Sequence, residues 1–299
     1  MALTAQQQTA LLQMTQAMFN AALGKVYLDA LSSQLEAGSS IASIAQGLLG
    51  TELFLGKSYA DDLAPSAFAQ TFVDDFIGNR ASSDSKTIAV NFIVSKITAG
   101  ATQNQIIAEI ANTLSSFSVT DPDWGEAALH FKTENINKVV NNLLADSVSA
   151  DDKASAVEAM LDQMSTGKTF GDVVEWAIKA LDDLDQTDPA WGLAAARFDN
   201  RTEVSHYYSI EKNGASTDLA TLQQILTGVT ADAASIETAK AAIDSLLNNP
   251  SESINLAELN GSNGFRLDGI VRSDDTGESV DSAGDVNGDG YSDIIVGAN

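Results

Sequence analysis

The chain has no cysteine, so disulfides, thiolate metal sites and a thiol nucleophile are all excluded from its 299 residues. It is also short of positive charge. Against 41 Asp and Glu stand only 16 Lys and Arg, a formal net charge of −25 with a pI near 4.1. Long-range repulsion from such a surface argues against nucleic acid and anionic lipid as partners and favours divalent cations. Only two histidines occur, His130 and His206, and neither stands at metal or triad spacing from neighbouring acids, so both read as ordinary surface or half-buried residues. No run of about 18 apolar residues is present to span a membrane. The opening Met1-Ala-Leu-Thr-Ala-Gln-Gln-Gln has no basic n-region and no unbroken apolar stretch, so it does not read as a secretory signal peptide. No glycine-rich phosphate loop, Ser-His-Asp constellation or paired-carboxylate motif stands out, and the expectation is a non-enzymatic chain.

What is present is 44% hydrophobic residues, ample for a core in two or three domains. Between Thr4 and Leu247 the helical periodicity of Ala and Leu among Gln, Asp and Glu, with proline confined to turns, predicts an all-α region. An internal repeat organises it. Thr120-Asp121-Pro122-Asp123-Trp124-Gly125 returns 67 residues later as Thr187-Asp188-Pro189-Ala190-Trp191-Gly192. The same offset carries Ile97-Thr98-Ala99-Gly100-Ala101-Thr102 onto Met164-Ser165-Thr166-Gly167-Lys168-Thr169. A weaker early copy has Gly38-Ser39-Ser40 at its turn. Each unit reads as a helix, a turn ending in Gly, a second helix opened by a Ser or Thr cap, the Thr-Asp-Pro-x-Trp-Gly turn and a further helix, with Pro as first helical residue. Such units cannot bury their faces alone and are expected to pack into one core. Two more helices are expected over 218–226 and 231–247, then a linker over 248–256. Trp124, Trp176 and Trp191 are expected in the core. Asp121, Asp123, Asp188 and Glu134 are expected to cap helices, and 181–185 to be a solvated helix end.

The C-terminal stretch changes character. Numbered from Asp285 as position 1, it offers oxygens from Asp285, Asn287 and Asp289 at positions 1, 3 and 5, a turn glycine at Gly290, the main-chain carbonyl of Tyr291 at 7 and a carboxylate from Asp293 at 9. Alternating oxygen ligands around a tight turn suit a hard cation, and Ca²⁺ over Mg²⁺, because flexible ligands fit the larger ion. An EF-hand would place Glu at position 12; here Val296 follows Ile294-Ile295 in a β-branched run that reads as a strand. The loop is therefore EF-hand-like in chemistry and not in fold.

Residues 279–299, Ser279 through Asp285-Val-Asn287-Gly-Asp289-Gly290-Tyr291-Ser-Asp293 to Asn299, resemble an FG-GAP repeat, the blade motif of integrin-alpha-type β-propellers. The resemblance implies Ca²⁺ held between two strands of a blade. A propeller needs roughly four to eight blades, more than residues 257–299 supply, so the chain is expected to be the N-terminal part of a longer protein. Met18-Phe19-Asn20-Ala21-Ala22-Leu23-Gly24, with Leu31, Leu35, Gly38, Ile41, Ile44 and Phe54, resembles the DUF4214 family over residues 10–60. That resemblance implies association with a bacterial surface.

The fold class expected is mainly α, a helical-hairpin repeat domain over 1–247 followed by a partial β-propeller blade over 257–299. The function expected is that of an exported, calcium-binding surface or matrix protein for adhesion or envelope attachment, without a cleaved N-terminal signal. Envelope polysaccharide, other surface proteins and copies of itself are the expected partners. Two other readings stay open: a calcium-stabilised secreted hydrolase whose catalytic region lies beyond Asn299, and a purely structural lattice protein.

Overall fold

The structure, a computed structural model, describes residues 3–60, 62–248, 279–284, 286 and 293–297. The fold is mainly helical, with a short two-stranded sheet near the C-terminus. It divides into two compact units, Met1–Leu246 and Leu247–Asn299.

In the first unit, single helices alternate with helical hairpins. Helix α1 (Ala5–Phe19) precedes the hairpin α2 (Lys25–Glu36) and α3 (Ile41–Leu49), a single turn α4 (Glu52–Leu55) and α5 (Pro65–Phe76). The hairpin α6 (Ser83–Thr98) and α7 (Gln103–Ser116) leads into α8 (Gly125–Leu144), and α9 (Ala150–Ser165) and α10 (Phe170–Asp182) lead into α11 (Gly192–His206). A π turn, Tyr207–Glu211, extends α11 before α12 (Leu219–Ile225) and α13 (Ala234–Asn248). Helices α6 and α9 begin 67 residues apart and each run 16 residues.

The hairpins share one turn chemistry. Gly38, Gly100, Gly167 and Gly228 close them with φ of +99°, +94°, +93° and +79°, a left-handed conformation that glycine adopts without a Cβ penalty. The following helix then starts on a capping box at Ser40 with Ser43, Thr102 with Gln105 and Thr169 with Asp172. Each cap satisfies an orphan N–H and is worth about 1 kcal/mol.

The Thr-Asp-Pro-x-Trp-Gly turn departs from expectation, because the helix begins at Gly125 and Gly192 and not at proline. Its residues form an Asx turn instead: Asp121 Oδ1 accepts from the N–H of Asp123 and Trp124 at 2.9 and 2.8 Å, and Asp188 Oδ1 from Ala190 and Trp191 at 2.8 Å each. The glycine is then a matter of space. A Cβ on Gly125 would lie 2.4 Å from the Val119 carbonyl oxygen, and one on Gly192 2.2 Å from that of Gln186. The last two helices also differ in extent from the expected 218–226 and 231–247, starting at Leu219 and Ala234.

The single helices end alike, each on a left-handed residue: Asn20 (φ 55°), Gly78 (φ 57°), Ala145 (φ 44°) and Asn213 (φ 54°). Gly78 and Ala145 keep the 67-residue spacing, whereas Ala145 and Asn213 stand 68 apart. The π turn between His206 and Lys212 accounts for the difference, since a π turn arises by inserting one residue into an α-helix.

Helix α1 lies at the centre, with every residue from Leu11 to Met18 buried. A helix buried all round shows no single apolar stripe, and its polar residues find partners inside, save for Gln16 Oε1, which is buried without one. Gln13 Nε2 donates to Asp182 at 2.5 Å, Gln16 Nε2 to Thr202 at 2.9 Å, and Asn142 Nδ2 to the Ala17 and Met18 carbonyls at 3.0 and 3.1 Å. The main core runs from Leu11 to Phe198 and a smaller one joins Ala21 and Ala22 to Tyr208, Leu222 and Ile243.

In the second unit, β1 (Ser279–Gly284) pairs antiparallel with β2 (Asp293–Gly297).

Candidate functional site

The β1–β2 ladder runs from Ser279 opposite Gly297 to Gly284 opposite Asp293, with an irregularity between Ser282 and Gly284. A Cβ on Gly297 would fall 2.3 Å from Ser279 Oγ, a contact that rotation of the serine side chain relieves. Of the expected metal ligands, Asp285, Asn287, Asp289 and Tyr291 lie outside the described residues; Asp293 is described in its backbone only, as the first residue of β2. The ladder nevertheless bears on the fit of a cation. Its closing pair is Gly284 and Asp293, and Asp285 is bonded to Gly284, so positions 1 and 9 of the ligand set are tethered to one end of the hairpin. The donor set is carboxylate, amide and carbonyl oxygen throughout, the chemistry that Ca²⁺ prefers.

Among the described residues, no three of His, Asp and Glu gather as a metal site. His130 Nε2 lies 3.3 Å from Glu134 and His206 Nδ1 3.3 Å from Glu211, neighbours on the same stretch of helix. Asp121 and Asp188 are spent on their turns. Asp182 serves Gln13, and Asp183 pairs with Lys179 at 2.7 Å. Trp124 packs on the core and stacks with Phe117, ring centroids 6.2 Å apart at 13°. Trp191 packs on the core as well. The expectation for Trp176 fails, because it is 42% exposed. Helical periodicity tells which residues share a face, not whether a neighbour covers that face.

Two features escaped the sequence. The first is the use of scarce cations at helix ends, with Lys132 and Arg201 buried, Arg197 half-buried and Lys138 exposed. Lys132 Nζ donates to the Phe117 carbonyl at 2.7 Å and Lys138 Nζ to Phe54 and Leu55 at 3.3 and 3.2 Å. Arg197 Nη1 reaches the Asn142 and Leu143 carbonyls at 3.4 and 3.2 Å, and Arg201 Nη2 reaches Asn20 Oδ1 at 2.6 Å and its carbonyl at 3.3 Å. All four meet the carbonyl ends of helices α7, α4, α8 and α1, where the helix dipole favours positive charge. Burial pushes the pKa of each below its ordinary value, and for Arg201 the neighbouring Arg197 adds to the effect. Arg197 and Arg201 line a cleft of about 510 Å³ with Asn20, Ala145, Asp146 and Gly228, and the Asp146 charge partly offsets the effect of burial on Arg197. The second feature is an apolar pocket of about 290 Å³ between α8, α9 and α10 that Trp176 and Trp191 both line.

Comparison with known families and proteins now has a geometry to attach to. The FG-GAP repeat family model matches residues 276–299, the segment that carries both strands and the candidate ligand loop. No curated protein and no solved structure matches the chain. The C-terminal segment is thus similar to an FG-GAP repeat over those residues, while the resemblance of residues 10–60 to DUF4214 finds no support in these comparisons. Among the described residues, no helix is long and apolar enough to cross a membrane.

Proposed function

We propose that this chain is part of an exported, calcium-binding surface protein, in which the FG-GAP segment holds Ca²⁺ and presents a binding surface and the helical unit serves attachment or assembly without catalysis. The observation that supports it most directly is the FG-GAP match over residues 276–299 on a hairpin whose closing pair, Gly284 and Asp293, brackets an all-oxygen ligand set. The net charge of −25 works in the same direction. It draws divalent cations to the surface, and it makes attachment to an acidic polysaccharide dependent on such cations as bridges.

The test is calorimetric titration of the full chain with CaCl₂ and with MgCl₂, set against a D285A/D289A variant. Native protein is expected to show saturable calcium uptake that exceeds magnesium uptake and vanishes in the variant. Equal uptake by both proteins would remove the metal site from this loop. For attachment, sedimentation with washed cell envelopes at millimolar Ca²⁺ should be reversed by chelator. A chain that ignores envelopes and stays monomeric under those conditions would leave the helical unit as a spacer.

A further inference from the structure

We propose that the pocket between α8, α9 and α10 binds a small apolar cation, an aromatic or short aliphatic body that carries an ammonium group. Its lining is apolar apart from Ser155, with Ala156, Ala159, Ala177 and Ala180 exposing the helix surfaces and the indoles of Trp176 and Trp191 as walls. Its size approaches that of sites that take small ligands, which are commonly aromatic-lined clefts of about 300 Å³ upward.

The internal repeat shows how the space arises. Sixty-seven residues earlier, Ser155, Ala159, Ala177 and Leu184 have Ile88, Phe92, Ile110 and Phe117 as counterparts. In that unit Phe117 stacks on Trp124; in the later unit the corresponding wall is Leu184 beside Trp191. Four large side chains have become smaller on the same helical frame; in the earlier unit Ile110 and Phe117 pack on the core, while Ile88 and Phe92 are 65% and 44% exposed on its rim.

The same comparison argues for a cation. In the earlier unit Lys96 Nζ lies 5.0 Å from the centre of the Phe92 ring and 2.7 Å from Glu109. The counterparts of Lys96 and Glu109 are Gln163 and Trp176. The resident cation is gone, and a tryptophan, the strongest cation–π partner, has taken the acid's place. The field around the pocket has the matching sign, for residues 150–191 hold ten acidic side chains against three lysines. An apolar anion of equal size meets the same walls and an opposing potential.

The experiment uses the full 299-residue chain with three probes of similar shape: phenethylammonium, 2-phenylethanol and 3-phenylpropionate. Tryptophan fluorescence and calorimetry are the readouts. Phenethylammonium is expected to bind saturably, at least tenfold more tightly than 3-phenylpropionate at low salt, with the gap narrowing in 1 M NaCl. A159F, which restores the earlier unit's residue, should weaken binding at least tenfold while circular dichroism reports an unchanged helical melt. W176L, which keeps an apolar wall and removes the indole, should erase the preference for phenethylammonium over 2-phenylethanol, and it decides the matter if A159F fails to fold. Absence of saturable binding, equal affinity for the anionic probe, or undiminished binding to a folded A159F would each overturn the proposal. So would a change of oligomeric state in A159F with probe binding intact, which would assign the pocket to a second copy of the chain.

Discussion

The helical unit and the β hairpin solve the burial problem to very different degrees. In the helical unit the large apolar side chains close on one another. Phe72 is 1% exposed and touches Phe68, Phe76 and Tyr59, with ring centroids 5.8, 4.6 and 5.8 Å away. In the hairpin, Val280 is 62% and Ile295 60% exposed. Val280 stands opposite Val296 and Asp281 opposite Ile295, so by strand alternation the two exposed residues lie on opposite faces. A two-stranded sheet with apolar groups on both faces is at best marginally stable in water. The helical unit therefore carries its own stability, whereas the two described strands gain little from each other alone. Position along the chain thus separates a well-packed scaffold from a sparsely packed hairpin.

The largest expected effect breaks the scaffold alone. Phe72→Ala should cost about 3–5 kcal/mol through lost burial and the cavity left behind. It should lower the helical melting temperature and, below the new midpoint, leave calcium uptake unchanged. Residues 1–247 alone are expected to melt cooperatively, at the same temperature with or without chelator. A chelator-sensitive melt, or loss of calcium uptake in folded Phe72→Ala, would erase the distinction between the two regions.

Gly192→Ala is the next step down. Its Cβ would sit 2.2 Å from the Gln186 carbonyl oxygen, so the turn before α11 must open, at about 2 kcal/mol by analogy with overpacking. Gly125→Ala should cost a similar amount, read by denaturant midpoint at constant slope. A neutral result at either position would mean that the turn is looser than its hydrogen bonds suggest.

How much of this was legible in sequence follows the reach of each interaction. The hairpins were readable because their signals are local: a glycine that needs positive φ and a Ser or Thr cap on the helix that follows. The candidate ligand loop rests on a signal equally local, oxygens spaced two apart, but apart from the backbone of Asp293 it lies outside the described residues. The burial of α1 was not, since Gln13 and Gln16 look like surface residues until Asp182 and Thr202 arrive from far along the chain. Nor was the internal use of cations, because nothing near Arg201 in sequence announces the carbonyl of Asn20. Trp176 shows the same limit in reverse: its own helix is amphipathic, but on the facing helix α9 the positions of Ile88 and Phe92 hold only Ser155 and Ala159.

Alkaline pH offers a smaller test within the scaffold. Tyr59 is buried and its hydroxyl donates to Asp75 Oδ2 at 3.0 Å. Burial first, then the hydrogen bond and charge of Asp75, push its pKa well above the ordinary phenol value. The folded state thus holds this proton more tightly than the unfolded one. Its contribution is fully present below the unfolded pKa near 10 and is lost as pH rises beyond it. The expected loss is about 1 kcal/mol by pH 11, trimmed for solvent screening. Denaturant midpoints measured from pH 9 to 11 should fall in the native chain, and fall less steeply in Tyr59→Phe.

The smallest effect has the opposite sign and comes from the repeat. Ala145 ends α8 at φ 44° and ψ −127°, a conformation costly for a residue with a Cβ, whereas its counterpart at the end of α5 is Gly78 at φ 57°. Strain of this kind is worth about 1–3 kcal/mol, and glycine gives back about 0.5–1 kcal/mol through its freer unfolded chain. Ala145→Gly is therefore expected to stabilise the helical unit by about 1 kcal/mol, seen as a higher denaturant midpoint. Ala145 also lines the cleft that holds Arg197 and Arg201, and the carbonyls that Arg197 caps belong to the last turn of the same helix. Strain at Ala145 and the half-buried guanidinium of Arg197 would then be two parts of one arrangement, with the arginine holding the helix end against the cost of the turn. Arg197→Met should accordingly lose more stability in the native background than in Ala145→Gly. Equal losses in both would show that the cap and the strained residue act independently.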